Sequence, residues 1–236
     1  MTTTAAYDDV ADWYESEFLP NQRRFADDSP FADPSGVDQT IVELLGSGSG
    51  RCLQMGCGTG IYADRIRSLG WTPVGVDLSA GMLRHARARL PVAHGDAGRL
   101  PLPDRSIDAV TAVMIHTDIP HYESVLAEAA RVLKPGGRFL HVGVHPCFVG
   151  DFVDRATPPH AVVGPDYLSR SWTPGLGADA GTLGRDGQVR DKVGASHVPL
   201  AELLTLFVDA GLTPTGFAEG GAPLPITLSV QARASG

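Results

Sequence analysis

The stretch "LQMGCGTG", Leu53 to Gly60, places glycines at 56, 58 and 60, immediately after one short apolar run and before a helical one. A chain that bares its backbone at three alternate positions makes a tight turn whose N–H groups stay free at the start of the following helix. The next apolar run, "PVGVD", ends on an isolated carboxylate, Asp77. Strand, glycine turn, helix and second strand together form a β-α-β unit. Such units lay their strands in parallel, in a sheet covered by helices on both faces, with ligands at the carboxyl ends of the strands.

The rest of the chain extends the pattern. "LSAGMLRHARARL" has helical spacing at Leu78, Met82, Leu83 and Ala86. "VAH" before Gly95 and Asp96 is a third strand, Asp108 to Ile115 a fourth, and Arg138 to Val144 a fifth. Between the last two, Tyr122, Val125, Leu126, Ala129, Val132 and Leu133 share one helical face, stopped by "KPGG". "PLAELLTLFVDAGL" is a helix, and two strands around a Gly/Pro turn close the sequence. The expected fold is α/β: a Rossmann-like, seven-stranded, mostly parallel sheet flanked by helices, in one domain over residues 1–236. Residues 1–46 are expected to form an N-terminal helical cover, with Tyr7, Val10, Trp13, Tyr14 and Phe18 near one side of a helix. Residues 147–197 are rich in Gly, Pro and Asp without sustained periodicity, and read as an insertion of little regular structure that covers a substrate.

Composition narrows the function. With 43% hydrophobic residues in 236, one substantial core is affordable. The net charge is −8 and the basic residues are scattered, so no footprint for nucleic acid or an anionic membrane appears and a small ligand is expected. The start is acidic and no later apolar run approaches the ~18 residues of a membrane span, which points to the cytoplasm. Cys52, Cys57 and Cys147 lack CxxC spacing, so neither a disulfide framework nor a zinc site is expected. His116, Asp118 and His121 have no further carboxylates beside them, and no metal is expected there.

The turn Gly56-x-Gly58-x-Gly60 is followed by Ile61, so it lacks the third glycine of a dinucleotide fingerprint, and it lacks the Lys-Ser/Thr of a P-loop. "GCGTG" entered from a strand, "VGVDLS", "GDAGRLPLPDRSIDAVTAVMIHTD" and "EAARVLKPGGRFL", in that order, resemble the motifs of class I S-adenosylmethionine-dependent methyltransferases over roughly Tyr7 to Val144. The resemblance implies S-adenosylmethionine as cofactor. It implies that Gly56, Cys57, Gly58 and Gly60 contact its methionine part and that Asp77 accepts hydrogen bonds from both ribose hydroxyls. Leu78 and Met82 would flank the adenine, Asp96 and Ala97 would meet its amino group and ring edge, and Met114 would complete the set. The family commonly carries an acid in the strand before the first glycine, where Gln54 and Met55 stand here. That departure keeps open a non-methylating use of the cofactor, such as cyclisation, beside methylation of O, N or C on a small molecule of specialised metabolism. A nicotinamide oxidoreductase is the more distant alternative.

Methyl transfer is an in-line displacement, and a base is needed only where the nucleophile must lose a proton. His116 just after the fourth strand is the candidate, with packing beneath the following helix as its alternative. Asp118 is expected to cap that helix near Ile119 and Pro120. His145 after the fifth strand is a substrate contact or a turn residue, and Tyr14 is expected near the methyl group. Tyr167 and Trp172 in the insertion could line a pocket for an aromatic or polyketide-like acceptor. The protein is expected to act as a monomer or homodimer.

Overall fold

The strand that carries the glycine turn, β1 (Arg51–Met55), lies in the sheet interior because every residue after Arg51 is buried. It pairs in parallel with β2 (Thr72–Asp77) on one side and β4 (Ile107–Val113) on the other. In the computed structural model, which describes residues 5–20, 35–157, 160–177 and 189–235, seven strands form one sheet in the order β10-β11-β5-β4-β1-β2-β3. The remaining strands are β3 (Val92–His94), β5 (Leu133–Val144), β10 (Leu212–Gly220) and β11 (Thr227–Ala234). Only β11 runs against its neighbours, so the expected mostly parallel sheet is the one found. The order reverses direction beside β1 and β4, and the carboxyl ends of those two strands open the crevice in which such sheets bind ligands.

Alternation along the strands divides the core between the two faces. Leu53, Met55, Val110, Ala112 and Phe139 pack with α5 (Tyr122–Val132) and α7 (Leu200–Asp209). Cys52, Ala109, Leu140 and Val142 face the other way, against Ile41, Leu45 and Ile66. These come from α2 (Val37–Thr40), which continues as a π-helical turn through Leu45, and from α3 (Ala63–Ser68). Helix α4 (Ala80–Ala86) starts at Ser79, whose side chain accepts from the Met82 N–H.

Helix α1 (Ala11–Trp13), prolonged as a π-helix over Tyr14–Phe18, lies against α4. Its docking is polar: Asp8 accepts from the Ser79 hydroxyl at 2.7 Å and the Gly81 N–H at 2.9 Å, Asp12 meets Arg84 and His85, and Glu15 pairs with Arg89. The insertion has more regular structure than its composition suggests. It holds the hairpin of β6 (Val153–Asp154) and β7 (Val162–Val163), a 3-10 turn at Pro165–Leu168, and β8 (Ser171–Pro174) paired with β9 (Gly194–His197) across α6 (Val189–Val193). Short pairs of two to four residues carry too few positions to show a period, which is why the sequence hides them. Residues 21–34 of the expected cover, and 158–159 and 178–188 of the insertion, lie outside the described residues.

Candidate cofactor and active site

A cavity of ≈ 420 Å³ opens at the carboxyl ends of β1, β2 and β4, within the ~300–1,000 Å³ usual for small-molecule sites. The three glycines of the turn have three separate reasons to be glycine, beyond their left-handed backbone (φ +60, +54 and +78). A Cβ on Gly56 would lie 2.6 Å from the Ile115 Cγ2, and one on Gly60 would lie 2.5 Å from the Leu90 Cδ2. A Cβ on Gly58 would meet no protein atom within 4 Å. Gly56, Cys57 and Gly58 line the cavity, whereas Gly60 does not. Its expected contact with a ligand is replaced by close packing against α4 and Leu90.

Asp77 ends β2 and binds the turn directly: its Oδ2 accepts from the Gly58 N–H at 2.7 Å and its Oδ1 from the Ser79 N–H at 2.8 Å. Burial raises its pKa, against the pull of those two N–H groups. A carboxylate oxygen has more than one acceptor site, so both remain able to take a ligand hydroxyl. Leu78, Met82, Asp96, Ala97, Met114 and Tyr14 also line the cavity. Leu78 is exposed and Met82 is buried at the foot of α4, one on each side of the space beside Asp77. Met114 holds φ +58, a costly conformation for a residue with a Cβ, while its N–H donates to Val142 O at 2.7 Å.

Gln54, Thr59 and Thr111 also belong to the lining residues, and Gln54 Nε2 is buried without a hydrogen-bond partner among the described residues. Gln54 and Thr111 sit side by side in the β1–β4 register. A bare backbone at Gly58 and a carboxylate at Asp77 suit a polar, hydroxyl-bearing ligand.

Residues 53–141 match the family described as "Methyltransferase domain". The matched stretch runs from β1 to β5 and holds the glycine turn and Asp77. The residues of the cavity fit S-adenosylmethionine, the cofactor that the sequence resemblance implies, on the grounds just given. The chain is 37% identical over 91 residues to a protein of Mycolicibacterium smegmatis named a probable S-adenosylmethionine-dependent methyltransferase, covering 37% of this chain and 35% of the relative. It is 33% identical over 135 residues to the demethylmenaquinone methyltransferase of Renibacterium salmoninarum, covering 56% of this chain and 54% of that one. The chain thus spans about half or less of these relatives' length. In structure it superposes on an S-adenosylmethionine-dependent methyltransferase of Mesorhizobium loti with a TM-score of 0.64 at 20% identity, over 83% of this chain and 95% of the other. At that identity the likeness bears on the fold.

Of the candidate bases, Tyr14 lines the cavity, and His116 and His145 lie outside it. His116 is 3% exposed and packs edge-on to His141 and Tyr122, with ring centroids 5.0 and 5.9 Å away. Its Nδ1 has no partner among the described residues, burial drives its pKa well below the usual histidine value, and it is absent from the cofactor cavity. Packing, its alternative role, is the one its position supports. His145 is also outside the cavity: its Nδ1 accepts from the Cys147 N–H at 3.1 Å and its Nε2 meets Glu219 Oε1 at 2.7 Å, which fastens the end of β5 to β10. Both ring nitrogens are thus engaged.

Asp118 does not cap the helix, whose first residue is Tyr122 and whose N-cap is His121 without a side-chain cap. It lines the cavity instead, and Tyr7 donates its hydroxyl to Asp118 Oδ2 at 3.0 Å. Burial pushes the Asp118 carboxyl up to about 7. From the insertion, Trp172 and Val193 reach the cavity, while Tyr167 faces Cys147, Phe152 and His197. Among the described residues no helix is long and apolar enough to cross a membrane.

Proposed function

We propose that this chain is an S-adenosylmethionine-dependent methyltransferase that acts on a small molecule, at O, N or C, within a single domain. The observation that carries the reading is one cavity whose wall includes the glycine turn with Asp77 and, besides them, Tyr14, Asp118 and Trp172. The first group suits the cofactor and the second leaves room for an acceptor. The cofactor supplies a methyl group already activated by its sulfonium. The residues of this chain then have to bind, align and exclude water. Gly58 lets the methionine part approach the backbone, Asp77 takes ribose hydroxyls, and Met82 and Leu78 flank the adenine. Gln54 stands in β1 where the family commonly has an acid, so the chain brings no charge to the cofactor tail from that position. Helix α1 and the insertion close over the site from two directions, through Tyr14 and Trp172, and supply the acceptor-facing wall.

Calorimetry with S-adenosylmethionine, S-adenosylhomocysteine and NAD tests the first half of this proposal. Binding of the first two without NAD is expected, and NAD binding alone would return the domain to the oxidoreductase alternative. The second half is tested by incubating the protein and S-adenosylmethionine with a metabolite extract. A gain of one methyl mass in a small molecule is expected. Consumption of the cofactor without such a product would support a non-methylating reaction.

A further inference from the structure

Ionisable side chains are scarce on the cavity wall. Among the described lining residues the carboxylates are Asp77, Asp96 and Asp118, and no histidine, lysine, arginine or glutamate is present. Asp77 is committed to the glycine turn through two backbone N–H groups, and Asp96 Oδ1 accepts from the Gly98 N–H at 2.7 Å. Asp118 differs. No backbone N–H of the described residues donates to it, and its partner is a phenol, Tyr7, brought from 111 residues away.

We propose, on the methyltransferase reading above, that Asp118 carries the exchangeable proton of the site, releasing it when a cationic cofactor enters the cavity and so becoming the carboxylate that receives the acceptor's proton. The geometry is the basis. Asp118 follows β4 at the open edge of the sheet and its exposed surface faces the cavity rather than bulk water. The groups that act on it from the surrounding elements are Tyr7 and Tyr14 of the N-terminal segment, Asp77 of β2, neighbouring Thr117, and Arg190 of α6. Burial and Asp77 favour the protonated form, whereas Tyr7, Arg190 and Thr117 favour the carboxylate. With burial pushing the carboxyl up to about 7, the free site near neutral pH is poised between the two forms. A sulfonium in the same low-dielectric cavity adds a positive charge and tips that balance to the carboxylate.

The step balances. A bond forms between the acceptor heteroatom and the methyl carbon as the sulfur–carbon bond breaks, the bonding pair stays on sulfur, and the acceptor's proton passes to an Asp118 oxygen. The sulfur is then neutral, so the protonated carboxyl is again the favoured form until the cofactor is exchanged. Tyr7 is a positioning residue: its hydroxyl fixes Oδ2 and tunes how readily the carboxyl ionises.

Proton release on binding tests this without an acceptor. Calorimetry of the full chain near pH 7, in two buffers of different ionisation enthalpy, counts protons released by S-adenosylmethionine and by S-adenosylhomocysteine, which has the same tail but a neutral thioether sulfur. The sulfonium ligand is expected to release a larger fraction of a proton than the thioether, an excess that Asp118→Asn removes. In Tyr7→Phe the excess should persist with its pH midpoint moved upward, because a bond to the carboxylate has been lost; this arm stands even if Asp118→Asn folds poorly. Equal release for the two ligands, or an excess unchanged in Asp118→Asn, overturns the proposal while leaving the cofactor assignment intact. Failure of both ligands to bind would instead remove the methyltransferase reading on which it rests.

Discussion

Gly58→Ala and Gly60→Ala change the same atom count two residues apart, and the structure separates their consequences. Both glycines have positive φ, +54 and +78, so alanine at either pays roughly 1–2 kcal/mol for the left-handed backbone. For a chain of this size that is a loss of a few degrees in Tm, at ~2–4 °C per kcal/mol. At Gly60 the new methyl also lies 2.5 Å from the Leu90 Cδ2. The displaced atom is the end of a flexible side chain, so the extra cost belongs at the low end of the ~1–3 kcal/mol for overpacking. At Gly58 the methyl meets no protein atom within 4 Å and projects into space that a ligand would fill. Gly58→Ala should therefore keep most of its stability and bind S-adenosylhomocysteine at least tenfold more weakly, about 1.4 kcal/mol. Gly60→Ala should show the larger Tm loss and an affinity within about threefold of the parent. Scanning calorimetry and titration calorimetry on the two variants decide the matter. Parent-like affinity in a folded Gly58→Ala would refute the assignment of this turn to the cofactor.

Asp77→Asn keeps the shape of the side chain but turns an amide N–H₂ towards one of the two backbone N–H donors at 2.7 and 2.8 Å. S-adenosylhomocysteine affinity should fall ten- to a hundredfold, since a charge-assisted bond is worth about 1.5–3 kcal/mol, and an unchanged affinity would place the ribose elsewhere. The N-terminal segment should detach in acid: the Gly81 N–H holds Asp8 below the usual carboxylate range, and Arg89 does the same for Glu15. A depressed folded pKa contributes stability above the unfolded value, about 4, and loses it as pH falls through the folded value. The protection factor of the Gly81 N–H, taken against the intrinsic rate at each pH, should fall on acidification below about pH 4, and Asp8→Asn should mimic the effect at neutral pH. A protection factor that does not respond would show that the apolar contacts of α1 suffice. Trp172→Ala should leave S-adenosylhomocysteine affinity within a few-fold and lower methyl transfer to the acceptor found by mass shift. Loss of cofactor affinity would move Trp172 to the cofactor side of the cavity.

Local chemistry determined much of this protein. Three glycines between a buried strand and a helix, with a carboxylate closing the next strand, can be read in sequence because the constraint lies within the backbone of a few residues. Gly56, Cys57, Gly58, Asp77, Leu78, Met82, Asp96, Ala97, Met114 and Tyr14, all singled out from the sequence, line one cavity. The loop after β4 was different. His116, Thr117 and Asp118 share no periodicity, so nothing in their order tells which side chain turns into the cavity. The fold sends His116 under the sheet edge to His141 and Tyr122 and turns Asp118 into the cavity. The phenol that meets Asp118 comes from Tyr7, carried there by a segment docked through Asp8, Asp12 and Glu15. Periodicity records which face of an element is buried. Which distant residue completes a site depends on how the elements pack, and only the tertiary structure decides that.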